Sequence, residues 1–356
     1  MMTINARERV LTSLAHEEPD RVPFTVTNLT PLFAEKFTKA TGAVDPFDYF
    51  EADVYDVGFR SHSQTELRQT YGRYHTADVE RIGNWGTGFK RGSMFHFEHF
   101  IPPLSEAESI KEIESYPLPD YTAPEHWGHL HQQVADLHQR GLAAMGWLEC
   151  TLFEVAWQIR GMENFMVDML IRPDWIELLL DRIMEVRIFM AEKYAEADVD
   201  ILFVGDDIAT QRDMLMSVEH WCRFFQPRLQ KIIAAARRIK PGLHVAYHTD
   251  GNPAKVIPAL MDAGVDVLNP VQPECIDPKW VKSTYGDKLS LFGTIGTQSV
   301  LPFGTPQEVA ANVKERIATL KDRGGVILAP THFIEPEVPV ENLIAFVETV
   351  KEYGVY

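Results

Sequence analysis

Polar and ionisable residues follow several apolar stretches of this chain, and the clearest case is HVAYHTDGN at residues 244–252. A β-forming run there ends in an imidazole (His248), a carboxylate (Asp250), a glycine and an amide (Asn252). A simple turn needs only a pair such as Asn-Gly, so these residue types indicate chemistry. Comparable groups end the other apolar runs: Thr27 with Asn28, Glu149 with Cys150, Asp206 with Asp207, Asn269 with Gln272, Glu274 and Cys275, and His332.

Histidine, cysteine and carboxylate side chains are the ligand set of Zn²⁺. A catalytic zinc needs about three protein ligands and one open position. His248, His332 and one of Cys275, Glu149 or Asp250 would supply them. No C-x-x-C or H-E-x-x-H motif in the sequence supports the metal, and the same groups suit metal-free acid–base chemistry.

Each of these residues also has a structural interpretation. Asp250 and Asn252 would cap a following helix, and Asp206 or Asp207 would pair with Arg212. An active site is favoured because at least five strand ends would deliver such groups to one place, if the strands are parallel.

The pattern of the whole chain predicts that arrangement. Eight short, mostly apolar runs read as strands, and nearly all are followed by a helical pattern, which is typical of a parallel sheet covered by helices. An α/β fold of the TIM-type (β/α)₈ barrel class is the most economical result, with an open doubly wound sheet as the alternative. No G-x-G-x-x-G follows the first strand, which argues against dinucleotide binding. The predicted strands are 21–28, 50–59, 142–150, 201–207, 243–250, 265–271, 288–295 and 325–331.

The chain departs from this repeat at its beginning and over residues 68–120. A first helix is predicted at 4–16, capped by Asn5. The segment 68–120 predicts a β-hairpin at 73–100 that acts as a lid or pocket wall within one domain spanning 1–356. Its aromatic residues would either flank a substrate or pack on the barrel: Trp85, Phe89, Phe95, Phe97 and Phe100.

Composition narrows the function. A net charge of −17 over 356 residues disfavours nucleic acid and anionic membranes as partners. The N-terminus shows no secretory pattern and no stretch is apolar enough to span a membrane. Three widely spaced cysteines predict no disulfide framework, so we expect a protein of the reducing cytoplasm.

Several specific stretches resemble the uroporphyrinogen decarboxylase superfamily. They include ARERVLTSLAHEEPDRVPF at the start, GDDIATQRDMLMSVEHWCRFFQPRLQKII (205–233), FGTIGTQSVLPFGTPQEV (292–309) and ILAPTHFIEPEVPVENLIAF (327–346). The resemblance extends from about residue 5 to about 350. It implies a TIM-type barrel, often in a homodimer.

The superfamily holds cofactor-free tetrapyrrole decarboxylases and zinc-dependent, corrinoid-linked methyltransferases. The decarboxylases carry an N-terminal segment with a pair of arginines that binds the substrate carboxylates. The matching region here reads VPFTVTNLTPLF and lacks both arginines, so uroporphyrinogen is not the expected substrate. In the branch acting on coenzyme M, zinc is held by a His-x-Cys pair and a later Cys. These positions correspond here to His248, Asp250 and His332, a harder set that suits a Lewis acid acting on oxygen.

The resemblance therefore implies a methyltransferase of the O-demethylase type. It would move a methyl group from a small methyl donor, expected to be a methyl ether, to the corrinoid (cobalamin) of a separate carrier protein, with zinc as Lewis acid. A cofactor-free decarboxylase or lyase is the alternative, and other chemistry or a non-enzymatic binding role is a third. The expected roles are catalysis for His332, Asp207 and Asp206, substrate binding for Asn28, Glu149, Asp250, Asn269 and Gln272, and metal binding for His248, Cys275 and His332.

Overall fold

A computed structural model gives the fold, and it describes residues 4–27, 29–76, 79–92 and 98–356, with Glu149 described by its backbone only. Strands and helices alternate from residue 143 onward, as the sequence predicts. In chain order the strands are β1 (Val54–Val57), β2 (Arg81–Ile82), β3 (Gly88–Arg91), β4 (Glu98–Ile101), β5 (Ala143–Glu149), β6 (Ile201–Gly205), β7 (His244–His248), β8 (Val267–Asn269), β9 (Ser290–Ile295) and β10 (Val326–Pro330).

The helices surround these strands. Among the described residues, none of them is both long enough and apolar enough to cross a membrane. They are α1 (Ala6–Leu14), α2 (Pro31–Thr41), α3 (Pro46–Phe50), α4 (Gln64–Tyr71), α5 (Ile110–Ser115), α6 (Leu130–Gln139), α7 (Phe153–Arg160), α8 (Met162–Ile171), α9 (Pro173–Glu196), α10 (Val218–Phe224), α11 (Gln226–Ile239), α12 (Ile257–Ala263), α13 (Pro278–Tyr285), α14 (Val300–Phe303), α15 (Pro306–Leu320) and α16 (Val340–Tyr353).

Seven strands form one parallel sheet in the order β1-β5-β6-β7-β8-β9-β10. The extended segment 22–26 bonds to both edges of this sheet. The Thr25 N–H donates to Leu328 O on β10 at 3.0 Å, and the Asp53 N–H, next to β1, donates to Phe24 O at 2.9 Å. The segment thus takes the eighth strand position, and the TIM-type α/β barrel predicted from the sequence is confirmed. The predicted strand 21–28 pairs only through single bridges, and Asn28 lies outside the described residues.

Side chains alternate along each strand between the barrel interior and the surrounding helices. One apolar cluster fills the interior and includes Met145, Phe203, Ala246 and Phe292. Trp147 stacks on Phe203 above them, with ring centroids 4.6 Å apart. Two residues beyond Ala246 of β7 and Val267 of β8, the same interior face carries His248 and Asn269, so the carboxyl ends of these two strands place polar groups over an apolar plug.

The insertion forms a second, antiparallel sheet in the order β2-β3-β4, which corrects the predicted two-stranded hairpin. Phe89 packs against Phe100, with centroids 5.3 Å apart, and Phe100 packs against Trp157 of α7 at 5.1 Å. These two phenylalanines therefore pack on the barrel, whereas Trp85 lines a cavity. Phe95 and Phe97 lie outside the described residues.

Several helices differ from the prediction. The apolar pattern of SVEHWCRFFQPRLQKIIAAARRI predicts one helix over 217–239. The structure interrupts it at Phe225, between α10 and α11, because Pro227 has no N–H to continue the bonding pattern. The stretch NPAKVIPALMDAG predicts a helix over 252–264, and the structure begins this helix, α12, only at Ile257. Helix α2 was not predicted, and it buries Phe33 and Phe37.

A buried carboxylate ties the amino-terminal segment to the barrel. Asp53 is fully buried, and its two oxygens accept hydrogen bonds from Arg9, Arg21 and the backbone N–H of Phe24 at 2.7–3.0 Å. This network joins α1, the segment 22–26 and the start of β1. Its loss would leave two guanidinium groups without their shared counter-charge.

We predict that Asp53→Asn lowers the free energy of unfolding by about 3 kcal/mol, because it removes one partner of a buried ion pair. Urea denaturation measures the change. The matched control is Asp287→Asn, whose pair with Arg323 is exposed on both sides, 71% and 75%, and which should cost less than about 1 kcal/mol. Equal losses in both variants would contradict a special role for Asp53.

Candidate active site

The strand register brings three chain segments to the same level at the mouth of the barrel. Gly205 of β6 pairs with His248 of β7, and His248 pairs with Asn269 of β8. Gly205 has a φ of 151°, and a Cβ there would clash with the backbone of His248. The close approach of β6 and β7 at this point therefore requires a glycine.

Hydrogen bonds place a proton on Nδ1 of the His248 ring. His248 is 7% exposed, and its Nδ1 lies 2.6 Å from Asn269 Oδ1. The Asn269 Nδ2 donates to Phe292 O at 3.1 Å, so the amide oxygen is the atom that faces the imidazole. Because an amide oxygen only accepts, Nδ1 carries a proton, and the neutral ring then has its lone pair on Nε2, the form in which histidine binds metals.

Two carboxylates face that lone pair. His248 Nε2 lies 3.8 Å from Asp207 Oδ1 and 3.9 Å from Asp250 Oδ1. The ligand atoms of the three residues all lie within 4.8 Å of one another. The loop that carries them is held by backbone bonds: Asp250 N–H donates to Asp207 Oδ1 at 2.7 Å, and Gly251 N–H donates to Gln272 Oε1 at 3.0 Å.

The negative charges and acceptor atoms of His248, Asp207 and Asp250 favour a bound cation. The Oδ1 atom of Asp250 is buried and has no hydrogen-bond partner among the described residues. Burial raises the pKa of Asp250, a positive charge on His248 or His332 lowers it, and the negative charge of Asp207 raises it further. When His248 is neutral, its Nε2 and the carboxylates of Asp207 and Asp250 all offer lone pairs to the same point, and a divalent ion would bind all three. The donor set of one imidazole and two carboxylates fits Zn²⁺.

Three adjoining cavities open around this group. The largest, about 490 Å³, is lined by Phe59, Trp85, Tyr121 and Arg187 among others. A smaller one, about 80 Å³, reaches His248 and Asn269, and a third, about 260 Å³, reaches Asp250 and Gln272. The first two share Asp56, Trp147 and Phe333, and the last two share Thr331, His332 and Phe333. The site can therefore hold a small organic molecule beside the three converging acceptors.

Asp206 and its neighbour Asp207 have different surroundings. Asp206 is 3% exposed, and its carboxylate accepts hydrogen bonds from the N–H groups of Leu152 and Glu154 at 2.9–3.1 Å. Burial raises the pKa of Asp206 to about 7, although these N–H donors and the charge of Arg187 favour the ionised form. The residue expected to act in catalysis thus supports the start of α7, and we assign it a structural role.

The structure does not bring the other predicted metal ligands into the same group. Among the described residues, the group with metal-ligand spacing contains His248, Asp207 and Asp250, and neither Cys275 nor His332. Cys275 is half-buried, and burial together with Glu274 and Asp250 raises the pKa of its thiol. His332 is exposed and lines two of the cavities. The side chain of Glu149, like all of Asn28, is outside the description.

Three cavity residues were missed by the sequence reasoning. Asp56 and Trp147 continue the inward alternation of Val54 and Met145, so the period-two pattern of β1 and β5 carried the signal. Arg187 of α9 is 5% exposed and lies among apolar residues of a long helix. An arginine on the buried face of a helix was the available signal for it.

The fold and the geometry define an α/β barrel with a polar site at the carboxyl ends of its strands. The family model described as uroporphyrinogen decarboxylase (URO-D) matches residues 102–353. The chain belongs to the uroporphyrinogen decarboxylase family.

Curated relatives add detail. The chain is 28% identical over 194 residues to the methylcobamide:CoM methyltransferase MtaA of Methanosarcina barkeri, covering 54% of this chain and 53% of the relative. It is 25% identical over 203 residues to a methylated-thiol–coenzyme M methyltransferase of Methanosarcina mazei, covering 56% and 51%. The matches thus span about half the length of these relatives. A solved methyltransferase from Methanosarcina mazei, 20% identical, has the same fold, with a TM-score of 0.71 over 98% of this chain and 99% of that one.

We predict that Asp206→Asn and Asp207→Asn separate stability from metal binding. Asp206→Asn should lower the free energy of unfolding by about 1–3 kcal/mol, because an amide replaces a buried acceptor of several N–H groups. Asp207, whose side chain is 45% exposed, should change stability by less than about 0.5 kcal/mol but abolish tight zinc binding. Urea denaturation and zinc titration measure the two effects, and the reverse pattern would exchange the roles of the two residues.

We also predict that Asn269→Ala lowers zinc affinity about 10- to 100-fold, because the amide holds the His248 ring in its ligand form. Competitive titration with a chelating dye measures the affinity. Asn252→Ala is the control, since among the described residues its side-chain amide bonds to the Ala254 N–H at 3.1 Å and to Arg212 O at 3.4 Å, and not to His248. An Asn269→Ala protein with unchanged affinity would show that the amide does not orient the ligand.

Proposed function

We propose that the protein is a methyltransferase that moves a methyl group from a small methyl ether to the corrinoid of a separate carrier protein. The observation that carries the proposal is the cluster of His248, Asp207 and Asp250 at the mouth of the barrel. Support comes from the relatives, which are named as methylcobamide:CoM and methylated-thiol–coenzyme M methyltransferases. An enzyme of this class needs a cavity for the donor and an open side for the corrinoid, and the cavities around the cluster meet the first need.

Zinc is the metal that we propose for the cluster, with His248 Nε2 and the carboxylates of Asp207 and Asp250 as its ligands. Bound zinc would supply Lewis acidity toward an oxygen atom of the substrate. This ligand set contains only nitrogen and oxygen, whereas thiol activation is favoured by softer thiolate ligands. The donor set is the reason for proposing an ether in place of the thiols named for the relatives.

The protein side chains have distinct proposed roles. In the reaction, the bond between the methyl carbon and the ether oxygen breaks, and the electron pair of cob(I)alamin forms the new carbon–cobalt bond. The oxygen leaves with its electron pair and takes up a proton. His332 lines the cavities that reach both His248 and Asp250, so we propose it as the donor of that proton. Asn269 and Gln272 act indirectly, by orienting His248 and by holding the loop of Asp250.

The insertion is proposed to form one wall of the donor cavity. Trp85 and Asn84 line the 490 Å³ cavity beside Trp147 from the barrel. Exclusion of water protects the cobalt nucleophile and strengthens polar interactions in the site. The corrinoid carrier would then approach over the carboxyl ends of the strands, where the cavities open.

We predict that purified protein loaded with zinc methylates free cob(I)alamin from an aryl methyl ether, and that His248→Ala lowers the rate at least about 100-fold through loss of a metal ligand. The matched control is His244→Ala. His244 lies at the opposite end of the same strand, where its Nδ1 is 3.1 Å from Asp266 Oδ2. The decay of the cob(I)alamin absorption band measures the rate.

Two results would contradict the proposal. Equal rates for the His248→Ala and parent proteins would remove the cluster from the reaction. Loss of carbon dioxide from a carboxylated substrate without zinc or corrinoid would instead support the cofactor-free decarboxylase that the family resemblance also allows.

A further inference from the structure

Arg187 places a buried positive charge in the wall of the largest cavity. Its side chain projects from α9, is 5% exposed and lines the 490 Å³ cavity. The guanidinium lies over the ring of Trp85, 4.8 Å from the ring centroid. Its Nε donates to Thr151 O at 3.1 Å and its Nη2 to Cys150 O at 2.6 Å, which holds it at the end of β5.

Among the described residues, no carboxylate forms a direct ion pair with this guanidinium, although the charge of Asp206 favours its protonated form. Apart from the bonds to Thr151 O and Cys150 O, its N–H groups make one further contact with the described residues. This is a weak hydrogen bond from Nη1 to the Met190 sulfur at 3.6 Å. A guanidinium has five N–H donors, so the two backbone carbonyls leave donors for a ligand. A buried charge without a directly bonded counter-charge is unfavourable, and an anion in the cavity would stabilise it.

Positive and negative side chains lie at different ends of the adjoining cavities. Arg187 lines only the largest cavity, whereas Asp56 lines both that cavity and the one that reaches His248. The charged side chains that line the three cavities are therefore positive at Arg187 and negative at Asp56 and Asp250. An anionic ligand would place its charged end at Arg187 and its opposite end toward His248.

Aromatic side chains line the path between these ends. Phe59, Trp85, Tyr121, Trp147 and Phe333 all contribute to the wall of the largest cavity. Such walls bind a flat apolar body by stacking and edge contacts. A carboxylate attached to an aromatic ring matches both the walls and the bidentate geometry of a guanidinium.

We propose that the methyl donor is a methoxylated aromatic carboxylate, with its carboxylate bound by Arg187 and its methoxy group directed toward His248. The inference rests on the proposed methyl transfer only in calling this ligand the methyl donor. Binding of the carboxylate is measured without corrinoid. A failure of carboxylate binding at Arg187 can therefore be told apart from a failure of the proposed methyl transfer.

The experiment is isothermal titration calorimetry of the zinc-loaded protein with 4-methoxybenzoate and with the neutral 4-methoxybenzyl alcohol. The parent protein should bind the benzoate more tightly than the alcohol. Arg187→Gln should weaken benzoate binding about 10- to 100-fold, as expected for loss of a charge-assisted hydrogen bond, and change alcohol binding less than about threefold. The control is Arg182→Gln, on the same helix, whose guanidinium also donates to backbone carbonyls, those of Ile113 and Tyr116.

Equal weakening of both ligands in Arg187→Gln would show that Arg187 only supports the cavity wall, and would overturn the inference. So would a parent protein that binds the alcohol as tightly as the benzoate. If Arg187→Gln does not fold, the parent measurement still decides the matter, together with Arg187→Lys. Lysine keeps the charge, so selectivity for the benzoate should remain, with lower affinity than in the parent protein.

Discussion

The register of the parallel sheet is the constraint on which the candidate site depends. Gly205, His248 and Asn269 lie side by side because β6, β7 and β8 pair in that register. A shift of one residue would turn His248 toward the helices and break its bond to Asn269. The loops after Gly205 and His248 then bring Asp207 and Asp250 to the same imidazole. The site is therefore a consequence of strand pairing, and the loops only complete it.

Positive and negative side chains lie around the three adjoining cavities of the site. Two carboxylates face His248 at one side, and a buried guanidinium without an ion-pair partner among the described residues lies in the wall at another. Each of these features is unfavourable alone, because a buried charge loses its hydration. A cation at the first and an anion at the second would remove both costs. The chain thus exchanges some stability for preorganised binding, as is common at functional sites.

The sequence predicted the barrel because its strands are apolar runs separated by helical patterns, and because parallel strands end at the same side. It also placed His248, Asn269 and Gln272 at that side. It could not separate Asp206 from Asp207, since the path of the chain after Gly205 decides which carboxylate turns toward α7. Nor could it predict Arg187, which reaches the cavity from a helix 37 residues beyond Cys150 and is brought there only by tertiary packing.

Zinc K-edge X-ray absorption on the zinc-loaded protein tests the central claim most directly, because it reports the atoms bound to the metal. The account predicts one tightly bound zinc with only nitrogen and oxygen neighbours at about 2.0–2.2 Å. A sulfur neighbour at about 2.3 Å would place Cys275 or another thiolate on the metal and contradict the proposed His248, Asp207 and Asp250 set. A protein that retains no zinc would contradict the metal site altogether.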